Sequence, residues 1–534
     1  MKRVIILPVG KNMDLKTVEN FISKLDFKDT ENETTTIGLI TEGNMDIKAL
    51  LDANKNKLEL VHMSYSARYN LARYLDKGIK EVEGDVYFFA NPEKPLSKDA
   101  LNIDWFNLPY EVNIFDSNYK TKELILGELL EGELNYDAII CKSSFKEKFN
   151  YWFESYYAPV EKYRFCINAY LHDVSVGTVD CNLLEDSSYS YVGKFYVQKM
   201  KKIFYSPADG DFTCVISFIN EGDELERTVS SIRYTANNVR IILVDDCSDD
   251  GYPYSAVAKN YNCEYYRATE RLGSAGGKNY GASLVETKYF SFFDCHMRLY
   301  NENWDLELIS YLEDNPNSII APRTIYMNLD DDGFINNEDG YDGTGRKGHS
   351  ACCSVTFQPS YEFDPKWCDI FADNDKSKPL SPVACVLGAV YAMETGWWKN
   401  IHGFDGLQIY GLEETLISLK TFLMGGTCYV IKNWGVGHLY RKHNSAPINP
   451  RFVDANRIFL THLFRDDKYK EYKATLSKRI GPDRYAESER IYKKNEALML
   501  KEYDYLESKR VRTIDEFIEF DKTVSNKEHL QYVK

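Results

Sequence analysis

The chain has 534 residues, with 81 acidic against 65 basic side chains and a formal net charge of −16. That length supplies several domains' worth of chain and an ample core, while the acidic balance argues against a broad nucleic-acid-binding face, which needs clustered basic residues. A small basic pocket for one anionic ligand stays compatible with it.

The opening "MKRVIILPVGKN" reads as a strand and not as a signal peptide, because the apolar run is short and ends in Pro-Val-Gly. The runs "RVIIL" and "IILV" fall far short of the roughly 20 residues that cross a bilayer. The expectation is therefore a cytoplasmic protein with no membrane span, and the usage of Lys, Asn, Ile and Tyr suggests a bacterial one. Residues 1–165 alternate apolar runs such as "TTTIGLIT", "DVYFFANP" and "YDAIICKSS" with amphipathic stretches such as "LKTVENFISKL". Strands alternating with helices predict a mostly parallel α/β sheet. No G-x-G-x-x-G and no P-loop occurs there, so this domain is read as an accessory unit for acceptor recognition, docking or homo-oligomer formation. Residues 166–210, rich in Tyr and Ser, read as a connection. The 12 cysteines are scattered without a C-x-x-C pair, which favours reduced thiols over a zinc knuckle.

A second α/β unit begins at "DFTCVISFINEGDELERTVSSI", with a strand Cys214–Phe218, a polar turn Asn220-Glu221-Gly222, and a helix whose apolar face is Leu225, Val229 and Ile232. "VRIILVDDCSDDG" follows, a buried strand ending in Asp245 and Asp246. Ligands of doubly wound sheets bind beyond the carboxyl ends of strands, although a lone Asp-Asp equally fits helix capping or a turn. Next, "LGSAGGKNYGASLVETKYFSFFDCHM" runs through a glycine-rich turn and a helix carrying Lys278 to a strand Tyr289–Phe293. Asp294-x-His296 closes that strand. Residues two apart in an extended segment share a side, so carboxylate and imidazole could converge on one divalent ion such as Mn²⁺. Alone, the pair also fits a turn.

The segment "SPVACVLGAVYAMETGWWKNIHGFDGLQIYGLEETLISLK" adds a small-residue turn, Gly388-Ala389, and the step Tyr410-Gly-Leu-Glu413-Glu414; "GVGHLYRK" adds His438 and Arg441. With "FINEGDELERTVSSI", "LVDDCS", "FFDCHM", "YGLEET", "GHLYRK" and "NRIFLTHLFRDDKYK" in this order, residues 211–470 resemble the polypeptide N-acetylgalactosaminyltransferases and related GT-A glycosyltransferases. The resemblance implies an α/β fold with a Rossmann-like GT-A (nucleotide-diphospho-sugar transferase) domain. It also implies a UDP-sugar donor and Mn²⁺ held by Asp294, His296 and His438. It further places Ser217 and Asp246 at the uridine, Arg271, Glu221 and Lys278 beside the donor, and Arg441 on the diphosphate. Gly388, Ala389 and Tyr410 fall at the donor sugar, and Glu413 at donor or acceptor hydroxyls.

Tyr410 stands where the family has tryptophan, Leu412 and Ala389 where it has glycine, Glu414 where it has asparagine, and about Ala446 where it has a loop tyrosine. Larger residues at glycine positions shrink the sugar pocket, so the sugar is left as a hexose or N-acetylhexosamine. Residues 471–534 read as a charged helical tail in place of the family's C-terminal lectin domain. The expected activity is transfer to a peptide or protein Ser, Thr or Cys with net retention. Two alternatives remain: an inverting transferase building a surface glycan, with Glu414 as general base, and a nucleotide-sugar-binding protein without turnover.

Overall fold

The computed structural model of the protein describes every residue except 11, 28, 44, 55–58, 66–70, 95, 133, 135, 137, 149–160, 182, 185–191, 193, 206–209, 328–348, 351, 358–362, 369–376, 441–446 and 526–534. The described residues divide into two compact units, one made by residues 1–201 and the other by residues from 202 onward.

The first unit is built on eight strands: β1 (Lys2–Val9), β2 (Thr34–Glu42), β3 (Glu59–Tyr65), β4 (Val86–Phe89), β5 (Val112–Phe115), β6 (Lys122–Glu123), β7 (Ile139–Lys142) and β8 (Val176–Val179). They lie in the order β3-β2-β1-β4-β7-β5-β8-β6. β1 to β4 are parallel, as expected for near-continuous apolar runs covered on both faces. β7 runs antiparallel between β4 and β5, and β8 lies parallel to β5. The stretch 166–210, read from sequence as a connection, contributes β8 to this sheet, and the unit extends to Lys201. The strand was hard to see because "VGTV" is four residues long and lies between polar segments.

The second unit holds β9 (Phe212–Phe218), β10 (Val239–Asp245), β11 (Glu264–Arg267), β12 (Tyr289–Phe293), β13 (Met297–Leu299), β14 (Ser318–Met327), β15 (His349–Ser350), β16 (Cys352–Val355), β17 (Pro365–Cys368), β18 (Leu380–Val383), β19 (Val390–Glu394) and β20 (Thr427–Leu439). The main path is β11-β10-β9-β12-β19-β14-β20-β13, with β15 and β18 attached beside β14 and β20. β9 to β12 are parallel, β19 runs antiparallel between β12 and β14, and β20 lies parallel to β14. Each sheet therefore follows one plan. Its third, second, first and fourth strands lie side by side, then come an antiparallel strand, a parallel pair and a short antiparallel edge, β6 or β13.

The tail read as residues 471–534 is helical over Tyr469–Val524 and belongs to this second unit. Tyr472, Tyr492, Leu506 and Phe517 share one apolar core with Ile417, Phe422 and Trp398 of the sheet layers. Among the described residues no helix is long and apolar enough to cross a membrane. The ten cysteines with described side chains are free.

Candidate active site

A cavity of about 640 Å³ opens at the carboxyl ends of β9, β10 and β12, where the strand arrangement leaves main-chain ends uncovered. Its floor is the bend between β12 and β13. Thr228 of the helix Glu224–Thr235 fixes that bend, its Oγ1 donating to the Cys295 carbonyl at 2.9 Å and accepting from the Met297 N–H at 2.9 Å. The Asp294 N–H donates to the Ala389 carbonyl at 2.9 Å. Asp294 and His296 thus converge through a bend, not through the alternation of an extended strand as the sequence suggested. The pairing of β13 with β20 then sets Met297 opposite His438, and the Leu439 N–H donates to the His296 carbonyl.

The result is one cluster. Ligand atoms of Asp294, His296 and His438 all lie within 4.8 Å of one another, and His438 Nε2 is 3.4 Å from Asp294 Oδ2. A carboxylate with two imidazoles is a donor set for a divalent transition ion, and the three groups face one common point. Glu221 Oε2 lies 3.2 Å from His296 Nδ1. A carboxylate on Nδ1 fixes the tautomer that leaves Nε2 as the lone pair. Burial lowers the pKa of His438 despite the nearby Asp294, so its ring is neutral and able to ligate. The His438 Nδ1 is buried without a protein partner. Burial acts to raise the pKa of the Asp294 carboxyl, but Lys278 and His438 outweigh it and hold it below the ordinary carboxylate range.

Lys278, 5% exposed, projects from the helix Gly273–Ser283 with Nζ 3.7 Å from Asp294 Oδ1. Burial alone would depress its pKa, but Tyr391, Asp294, Glu414 and Glu413 push it up, so the ammonium is charged. On the facing wall the helix Glu413–Leu423 begins with two acids. Glu413 Oε2 accepts the Gly411 N–H at 2.8 Å, while the buried Oε1 has no protein partner. Burial and the adjacent Glu413 push the Glu414 carboxyl up to about 7. Its Oε1 lies over Gly388, where an added Cβ would stand only 2.3 Å away. Gly388 is needed for that close approach. Ala389 and Tyr410 complete this part of the wall.

At the other end Ser217 lines the cavity, and Asp246 accepts the N–H groups of Leu272 at 2.6 Å and Gly273 at 2.9 Å, together with Arg271 Nε at 2.8 Å. The capping reading and the ligand-facing reading of Asp246 thus hold together, because the carboxylate fastens a helix start while lining the cavity. Asp245 has a structural role, accepting from the Ser248 N–H, the Tyr265 hydroxyl and Arg267. Arg441 and Ala446 lie outside the described residues. Sequence reasoning missed the pair Asp364–Arg457, 2.7 Å apart on the cavity wall. Asp364 sits in an aperiodic stretch, and Arg457 carried a signal only as part of "NRIFLTHLF".

Residues 213–358 match the family described as Glycosyl transferase family 2. Human polypeptide N-acetylgalactosaminyltransferase 16 is 25% identical over 275 residues, covering 48% of this chain and 46% of the relative. Xenopus tropicalis polypeptide N-acetylgalactosaminyltransferase 11 is 26% identical over 291 residues, covering 51% and 46%. The chain spans about half the length of these curated relatives. Among solved structures, GalNAc-T7 with UDP, GalNAc and Mn²⁺ aligns with a TM-score of 0.43 and 21% identity over 58% of this chain and 57% of that one. The segment that matches glycosyl transferase family 2 thus supplies both Asp246 and the Asp294-x-His296 bend, and the chain is similar to the polypeptide N-acetylgalactosaminyltransferases.

Proposed function

We propose that the protein is a metal-dependent glycosyltransferase that moves a hexose or N-acetylhexosamine from a UDP-sugar to a hydroxyl, or a cysteine thiol, of a peptide or protein. The observation that carries this reading is the Asp294, His296 and His438 cluster on the floor of a cavity to which the segment matching family 2 contributes Ser217, Asp246, Asp294 and His296.

A bound divalent ion such as Mn²⁺ would supply positive charge to the diphosphate and Lewis acidity to the departing UDP. Asp294, His296 and His438 would hold it, with Glu221 keeping His296 oriented. The uridine end falls to Ser217 and Asp246. With three of about four carboxylate lone-pair sites taken by Leu272, Gly273 and Arg271, Asp246 keeps one for a base N–H. Lys278 keeps fixed positive charge beside the place where the leaving group gains negative charge, and Arg441 is assigned the diphosphate by resemblance. The unpartnered Glu413 Oε1 is free to accept a sugar hydroxyl. We assign net retention on the Asp-x-His and Gly-His-x-x-Arg steps.

Glu414 favours a second reading, inversion, because a cavity carboxyl pushed up to about 7 suits a general base working near neutral pH. Incubation with a panel of UDP-sugars and acceptor peptides, followed by product mass spectrometry and proton NMR, tests both. Absence of UDP release with every donor sinks the transferase reading, and a β-linked product from an α-linked donor selects inversion.

A further inference from the structure

The loop from His402 to Leu412 carries Ile409, Tyr410, Gly411 and Leu412 along the cavity wall and leads into Glu413 and Glu414. Its backbone is unusual. His402, Ile409 and Leu412 have φ of 53°, 45° and 72°, beside the left-handed glycines Gly403, Gly406 and Gly411. A β-branched residue such as Ile409 in that region is a genuine outlier, and such backbone persists only where its surroundings over-determine it.

One fully buried side chain does most of the determining. Asn456, on the helix Pro450–Phe464, accepts the Gln408 N–H on Oδ1 at 2.7 Å. Its Nδ2 donates to the carbonyls of Gln408 at 2.9 Å, Tyr410 at 3.1 Å and Gly411 at 3.0 Å. A carboxamide is suited to this, since it offers an acceptor and two N–H donors in one plane. From the tail, Asn495 Nδ2 donates to Gln408 Oε1 at 3.0 Å. On the other side Gly273 lies so close that an added Cβ would stand 2.4 Å from the Ile409 Cα.

We propose that Asn456 is a positioning residue for donor-sugar recognition. It acts through the backbone it clamps, setting Tyr410 and the turn at Gly411-Leu412 from which Glu413 and Glu414 enter the cavity, while Asp246 at the nucleotide end takes its bonds from Leu272, Gly273 and Arg271 and none from Asn456. The inference rests on the reading of the cavity as a UDP-sugar site. Asn456→Asp keeps shape and the Gln408 contact but removes all three donated bonds and sets a carboxylate against three carbonyls. Asn495→Ala is milder: it releases the Gln408 side chain and leaves the four Asn456 bonds in place.

The test combines hydrogen exchange on peptides covering 402–412 with calorimetric titration of UDP, UDP-glucose and UDP-N-acetylgalactosamine in Mn²⁺. Asn456→Asp should speed exchange of the loop, leave UDP affinity unchanged, and cut the affinity gained by the sugar over UDP alone by about tenfold, the scale of one buried hydrogen bond. Asn495→Ala should move both readouts in the same direction by less. Unchanged loop exchange in Asn456→Asp overturns the clamp, and so does an equal loss of UDP and UDP-sugar affinity. Should Asn456→Asp fail to fold, unchanged exchange and an unchanged sugar increment in Asn495→Ala overturn it instead. A wild-type chain that binds no UDP-sugar, with a loop that still loosens in Asn456→Asp, overturns the donor-site reading and leaves the clamp standing.

Discussion

His438 Nε2 stands 3.4 Å from Asp294 Oδ2 because β13 and β20 pair Met297 with His438. From two groups so placed, with His296 completing the set, the prediction is that nucleotide binding depends on a divalent ion. UDP affinity measured by calorimetry should fall by about a hundredfold or more on chelation with EDTA and recover with Mn²⁺, since the diphosphate then faces Asp294 with no ion to offset the charge. His296→Ala should show the EDTA-like affinity even in excess Mn²⁺, with the melting temperature close to wild type because the residue lies in a bend at a cavity. Equal UDP affinity with and without the ion contradicts the metal reading.

Glu221 meets His296 at Nδ1, Oε2 lying 3.2 Å away. Glu221→Gln should therefore weaken Mn²⁺ binding by about 10- to 100-fold, the range for loss of an orienting carboxylate, while saturating Mn²⁺ restores turnover. A titration of Mn²⁺ against UDP-bound protein reads this as a shifted midpoint with an unchanged plateau.

Glu414 has its pKa raised by burial and by Glu413, from an ordinary 4.5 to about 7. A raised carboxyl favours the protonated native state, so its contribution is fully present below about pH 4.5 and is lost as pH climbs through 7. The swing is on the order of 3 kcal/mol. Glu414→Gln does not titrate, and its melting temperature relative to wild type should rise between pH 5 and pH 8. A difference that stays flat over that window rules out the raised carboxyl.

Lys420 and Glu502 form a buried pair at 3.0 Å, with His402 Nδ1 2.9 Å from the other Glu502 oxygen. Glu502→Ala strands the Lys420 ammonium among carbonyls at about 3–5 kcal/mol. Because the tail helices share the core of the second unit, the loss should appear as a lower urea midpoint for the transition that also reports Trp397 and Trp398 fluorescence. An unaltered midpoint would mean the tail unfolds separately.

The parts of the site that sequence revealed are those where chemistry breaks a pattern: buried strands that end in acids at Asp245-Asp246 and Asp294, and a helix that opens on Glu413-Glu414. The convergence of His438 on Asp294 followed from resemblance alone, since no spacing rule connects β13 to β20. What stayed hidden depends on long-range packing. Asn456 looks like any polar residue on a helix until the carbonyls of Gln408, Tyr410 and Gly411 are seen around it. Arg457 likewise needs Asp364, 93 residues away in sequence, to acquire a role. β8 was hidden for another reason: four residues carry too little periodicity to separate a strand from a loop.

The shared strand order of the two sheets has a consequence for stoichiometry. In the second unit the fourth strand ends at Phe293 and is followed by Asp294-Cys295-His296; in the first it ends at Phe89 and is followed by Ala90-Asn91-Pro92. Ala90 and Pro92 bear no side-chain donor for a metal, so the same scaffold arrives at this step without the chemistry. A strand order carries no activity of its own. Saturation of the intact chain should therefore require one equivalent of Mn²⁺ and one of UDP, and His296→Ala should abolish the whole metal-dependent signal and not half of it.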